Sequence, residues 1–148
     1  MFDDLEAFMT WWLANRVINT PCEKETNFNG VLSGVVLYRH GQYQVQLFIV
    51  QPNSVIDAHI HPNVDSFEVF VGGDINFMCD GNWNDQSVVG AHIRVRETSW
   101  HGGKFGPKGG CFLSIQKWLN NVPPTSVGDD WDDKNNNKVG TASKMSLQ

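Results

Sequence analysis

The run His59-Ile60-His61-Pro62-Asn63-Val64-Asp65-Ser66-Phe67-Glu68-Val69-Phe70-Val71-Gly72-Gly73 decides how the other residues of this 148-residue chain are read. On an extended backbone successive side chains point to opposite faces. His59 and His61 therefore share a face, with Cβ atoms close enough for two imidazoles to grip one ion. Asp65 and Glu68 add carboxylates, and Phe67 to Val71 has the composition of a strand. Gly72-Gly73 supplies the positive φ of a tight turn and is expected to end that strand. Paired histidines also occur on surfaces with no chemical consequence, so this run by itself is half of a metal site.

The other half is Gly90 to His101, which places a third histidine just before Gly102-Gly103. Together the two stretches resemble the two cupin motifs, written G-x5-H-x-H-x3,4-E-x6-G and G-x5-P-x-G-x2-H-x3-N. The first becomes Asn53, His59, His61, Asp65 and Gly72 here, and the second becomes Gly90, Arg96, Thr98, His101 and Phe105. Every spacing is kept, and the departures are in residue type. Asn is among the residues that best tolerate a left-handed backbone, so its replacement of the first glycine disturbs little. The carboxylate matters more. Spacing favours Asp65, and alternation then turns Asp65, Phe67 and Val69 inward and Glu68 outward. Glu68 has the longer reach and the residue type of the family, and a bulge after Pro62 would reverse the parity. Three ligand sets stay open: the histidines with Asp65, the histidines with Glu68, or His59, His61 and His101 alone.

The resemblance implies a jelly-roll β-barrel over roughly residues 31 to 120, with the ion inside it and open coordination positions for a small-molecule ligand. Imidazoles with one carboxylate suit Fe, Mn, Ni, Co or Zn and do not form a calcium-type oxygen cage. The function implied is that of a metal-binding cupin acting on or binding a small molecule, as a dioxygenase, isomerase or lyase. The alternative is a non-catalytic structural or carbohydrate-binding jelly roll. The run His61 to Glu68, with Trp100 to Gly103, is further similar to small cupins encoded by tailed bacteriophages, which implies a cytoplasmic or virion location.

Around the motifs the chain reads as mainly β, with about eight strand-like runs at short intervals. An amphipathic helix is expected over residues 3 to 16, from the spacing of Leu5, Phe8, Met9, Trp12 and Leu13, with Asp3 or Asp4 as cap and Thr20-Pro21 as stop. This divides the chain into an N-terminal helix (1–20), a cupin domain (21–120) and an extended or disordered tail (121–148) whose evident anchors are Val127 and Trp131. Arg39 to Gln42 has the form of a hairpin turn, Val88-Val89 reads as strand, and Gly102 to Gly110 reads as a loop before Cys111 to Trp118, whose apolar density suggests a strand buried on both faces.

A net charge of -5 with no basic stripe argues against nucleic acid or an anionic membrane as main partner. Adjacent Trp11-Trp12 and the tail suit a subunit interface, so a homo-oligomer is expected. Cys22, Cys79 and Cys111 lack the close pairing of zinc or redox motifs and read as reduced thiols. The acidic N-terminus and the lack of a long apolar run predict a soluble protein without a cleaved signal. Acid/base candidates are Glu68 or Asp65, whichever is not a ligand, and Tyr43 if its strand faces the cavity; His40 and His92 read as surface residues, and Trp83, Trp100 and Trp118 read as packing residues, with a sugar-stacking surface as the alternative.

Overall fold

The structure, a computed structural model, describes residues 2–24 and 30–121 and the backbone of residues 25–27 and of the pairs 131–132, 137–138 and 143–144. The expected tail arm with its Val127 anchor lies outside the described residues. The alternating runs become antiparallel strands: β1 (Lys24–Asn27), β2 (Leu32–His40), β3 (Tyr43–Val50), β4 (Ser54–His59), β5 (Val64–Cys79), β6 (Asn82–Gln86), β7 (His92–Val95) and β8 (His101–Trp118). Strand β8 organises them. Its C-terminal half lies between β3 and β5, its N-terminal half lies between β4 and β5, and β5 also pairs with β6 and β7. The two long strands β5 and β8 thus join the others into one continuous antiparallel sheet, which rolls up as a jelly roll. Its interior core includes Leu32, Val50, Ile56, Phe77, Phe105 and Phe112.

Helix α1 (Leu5–Asn15) covers the outer face of this sheet. Asp4 caps it, its carboxylate accepting from the Ala7 N–H at 2.8 Å. Leu5, Phe8 and Trp12 bury their apolar stripe on Tyr43, Val45, Phe67, Val69 and Ile115. The helix ends earlier than Thr20-Pro21: Arg16 adopts a left-handed φ of 51° and donates its N–H to the Trp12 carbonyl at 2.6 Å. The tryptophan pair also serves the chain's own fold. Trp12 is buried and donates its Nε1–H to Val17 O at 3.0 Å, while Trp11 packs against Phe2, Phe8 and Tyr38.

Turns follow the glycines in two places. Gly41 (φ 58°) turns β2 into β3, and Asp80-Gly81 (φ 49° and 82°) turns β5 into β6, two positive φ values that match the right-handed twist of a hairpin. Elsewhere the glycines do something else. Gly72-Gly73 makes no turn; β5 runs through it with register shifts on either side. A Cβ on Gly73 would stand 2.5 Å from the Gly109 carbonyl, so the residue permits close strand approach at a bulge. The expected loop at Gly102 to Gly110 is likewise strand, because Gly102 and Gly110 lie too near the Ile56 carbonyl and the Phe105 ring to carry side chains. Val88 and Val89 are not strand and lie exposed before β7.

Candidate metal centre

The β4–β8 ladder sets His59 directly opposite His101. Their ring centroids are 4.4 Å apart, and His61, just past the end of β4, completes a triangle at 5.0 Å from His59 and 5.3 Å from His101. One ring nitrogen from each residue lies within 4.8 Å of the others. Close strand approach at Gly102 is what lets β8 bring its histidine here.

The tautomers are set by the backbone. His59 Nδ1 lies 2.8 Å from the Asp57 carbonyl and His101 Nδ1 lies 3.0 Å from the Ser99 carbonyl. A carbonyl only accepts, so each Nδ1 carries the proton and each Nε2 presents its lone pair as the ligand atom. Burial pushes the His101 pKa below the ordinary histidine value, with the Ser99 carbonyl and Asp80 opposing in part. The ring is thereby held neutral, the form that binds metal.

The two carboxylates part company. Asp65 lies on the outer face, where Arg94 grips it bidentately, Nε to Oδ1 at 2.8 Å and Nη2 to Oδ2 at 2.6 Å. Phe67 and Val69 accompany it beneath helix α1. The inward set is instead Val64, Ser66 and Glu68, the reverse of the parity expected from spacing. The Pro62-Asn63 turn, closed by Val64 N–H to His61 O at 3.1 Å, sets that parity. Glu68 is half-buried, with its Oε2 shut off from solvent; it accepts from Ser66 and Ser114, and desolvation outweighs those bonds to push its pKa up to about 7. Its Oε2 has no hydrogen-bond partner among the described residues. Glu68 is not one of the group whose ligand atoms lie within 4.8 Å of one another.

Ser66 went unnoticed in the sequence, although a signal for it exists. With a four-residue gap after His61, the first motif puts Ser66 at the carboxylate position and Gly73 at the closing glycine. Glu68 then stands one β-repeat farther along, about 6–7 Å.

Histidines and Glu68 share one cavity of about 100 Å³. Its walls are mostly apolar, including Phe48, Ile56, Phe77, Phe105 and Phe112, and its polar lining adds Gln46, Ser66, Ser114 and Gln116; none of the lining residues is Lys or Arg. Cys111 to Trp118 has no exposed residue, as expected of a strand buried on both faces, and Ser114 and Gln116 are its buried polar members. Tyr43 is not in the cavity, but lies under the helix with its hydroxyl 3.4 Å from Phe2 O. His40 and His92 are exposed, His92 lying edge-on to Phe67. Trp83 and Trp100 are about half exposed, contrary to their expected packing role, whereas Trp118 is buried. The three cysteines are unpaired, and no helix among the described residues is long and apolar enough to cross a membrane.

No family model and no curated protein matches the chain. Solved structures do. KdgF from Halomonas sp. superposes with a TM-score of 0.59 at 13% identity, covering 68% of this chain and 90% of its own. A cupin-superfamily sugar phosphate isomerase from Silicibacter pomeroyi gives 0.58 at 17% identity over 76% and 80% of the two chains. The DMSP lyase DddQ from Ruegeria pomeroyi gives 0.58 at 12% identity over 81% and 64%. Proteins of such different names on one scaffold fix the architecture and leave the reaction open. In fold, then, the chain is a cupin-type jelly-roll barrel that gathers His59, His61 and His101 on its interior.

Proposed function

We propose that His59, His61 and His101 hold a divalent transition metal, Fe, Mn, Ni, Co or Zn, and that the cavity beside it receives a small molecule. The supporting observation is the convergence of three imidazole nitrogens within 4.8 Å from two strands. The residues fit such an ion: two rings are fixed in the tautomer that presents Nε2, and His101 is kept neutral by burial. A metal bound by three histidines keeps coordination positions open, which favours chemistry over a purely structural role. When bound, it supplies Lewis-acid polarisation of a substrate oxygen. The protein contributes orientation through the rigid β4–β8 pair and exclusion of water through the aromatic walls. Asp65 is engaged by Arg94, and the ligand set in this reading is the three histidines.

The substrate-transforming activities in view are those of an isomerase, lyase or dioxygenase. Self-association is proposed on the exposed apolar residues Ile49, Val71, Val88 and Val89. A cytoplasmic or virion location, with the similarity to phage-encoded cupins, rests on the sequence resemblance alone. Elemental analysis of protein purified without added metal tests the site: stoichiometric transition metal is expected in the wild type and its loss in His59→Ala and His101→Ala. Full metal content in both variants would overturn the assignment.

A further inference from the structure

Two rows of polar side chains cross the barrel interior from β3 through β8 to β5. Gln46, Ser114 and Glu68 form one, and Gln44, Gln116 and Ser66 form the other. Polar groups among aromatic walls are costly unless each is bonded, and here the bonds run in one direction. Arg39 Nε donates to Gln44 Oε1 at 2.8 Å, and Gln44 Nε2 donates to Gln116 Oε1 at 3.0 Å, which also accepts from Trp118 Nε1 at 3.1 Å. Gln116 Nε2 then donates to Gln46 Oε1 at 2.7 Å and to Ser114 Oγ at 3.1 Å. Having accepted from Gln116, Ser114 has its own proton left to donate to Glu68, and Ser66 adds a second such bond. The chain of bonds ends at the Glu68 carboxylate, whose Oε2 is left buried in the cavity wall with no protein partner among the described residues.

A network that anchors a carboxylate this firmly and leaves one oxygen unsatisfied is built around an absent donor. The donor is not met by any lining Lys or Arg. With a divalent ion on three neutral histidines already offset in part by the Glu68 carboxylate, a doubly charged phosphate or dicarboxylate would leave the cavity net negative with no lining Lys or Arg to balance it, which is unfavourable in a low-dielectric interior.

We propose that Glu68 is a substrate-binding residue and not a metal ligand: the cavity takes a small uncharged molecule whose carbonyl or hydroxyl oxygen meets the metal and whose neighbouring hydroxyl or N–H donates to Glu68 Oε2. The remaining apolar part of the molecule packs on the Phe48, Phe77 and Phe112 side of the cavity. This deepens the metal reading above and rests on it.

Cobalt(II)-loaded protein at about pH 8, where Glu68 is a carboxylate, read by its visible absorption, tests the idea with hydroxyacetone as the uncharged probe and 2-phosphoglycolate as the charged one. The variants are Glu68→Gln and Ser114→Ala. In Glu68→Gln the amide oxygen stays with the two serine donors and the NH2 group faces the probe, replacing an acceptor with a donor. Both variants are expected to retain cobalt with an unchanged spectrum. Hydroxyacetone is expected to shift the wild-type bands, with an affinity about tenfold lower in Glu68→Gln and reduced in Ser114→Ala. The phosphoglycolate dissociation constant should be the weaker of the two in wild type. Ser114→Ala, the milder change, carries the same readout if Glu68→Gln does not fold. Loss of cobalt from Glu68→Gln while wild type keeps it, equal hydroxyacetone affinity in the folded variants and wild type, no wild-type response to hydroxyacetone, or tighter binding of phosphoglycolate would each overturn the proposal while leaving the metal reading standing. Wild-type protein that takes up no cobalt would instead sink the metal reading, and this proposal with it.

Discussion

His59 and His101 are direct partners across the β4–β8 ladder, their rings 4.4 Å apart although forty-two positions separate them along the chain. A ligand that binds this pair binds only the folded state, and so raises the unfolding temperature by mass action. Added zinc is expected to raise the Tm of the wild type and to leave that of His101→Ala unmoved, as read by scanning calorimetry. Protons compete for the same nitrogens. The rise should therefore shrink as pH falls through the ordinary histidine value of about 6.5 and below.

Without metal, His101 also shapes stability against pH. Its pKa is lowered in the fold by burial, so the unfolded chain binds the proton first as pH falls. The stability it contributes is present above the ordinary histidine value of about 6.5 and is lost as pH falls through the lower folded value. Replacement by Gln is expected to flatten that part of the profile in urea titrations of metal-free protein.

Glu68 works in the opposite sense. Burial raises its pKa from 4.5 to about 7, so the folded chain holds a proton that the unfolded chain gives up between those values. Its stabilising contribution is complete below the unfolded value and is lost as pH rises through the folded one. Glu68→Gln is always neutral, and its stability should gain on the wild type by about 3 kcal/mol on going from pH 4 to pH 8 in metal-free protein. A constant difference across that range would show that the carboxylate titrates normally.

Asp65→Asn separates the outward carboxylate from the site. Arg94 loses a bidentate, partly buried partner, and a destabilisation of about 1–2 kcal/mol is expected in chemical denaturation. Metal content should stay at the wild-type level, and a drop would return Asp65 to the ligand set.

Gly73→Ala tests the reading of the central glycines. With a φ of 89° and the Gly109 carbonyl 2.5 Å from a built Cβ, the alanine must push β5 from β8, at a cost of about 2 kcal/mol or more. Gly81→Ala, where nothing lies within 4 Å, should bear only the cost of its left-handed backbone.

Local periodicity carried much of this structure in the sequence. The helix stripe at Leu5, Phe8 and Trp12, the Gly41 hairpin and the alternation of His59 with His61 are relations between near neighbours, fixed by backbone geometry before any tertiary contact forms. The spacing to His101 added the third imidazole through a family resemblance. Parity and register were a different matter. Whether Asp65 or Ser66 faced inward turned on the Pro62-Asn63 turn, and a one-residue change there exchanges the faces of everything that follows. The glycines read as turns because their freedom is visible in sequence, while the neighbouring strand that forbids a side chain is not. The Gln44–Gln116–Ser114–Glu68 network was equally hidden, since its members come from three strands and acquire their roles by facing one another. The sequence by itself determined the imidazoles and the β scaffold that carries them; only the closing of the barrel decided which carboxylate stands inside with them, because facing across a barrel is a property of strand pairing and not of any one strand.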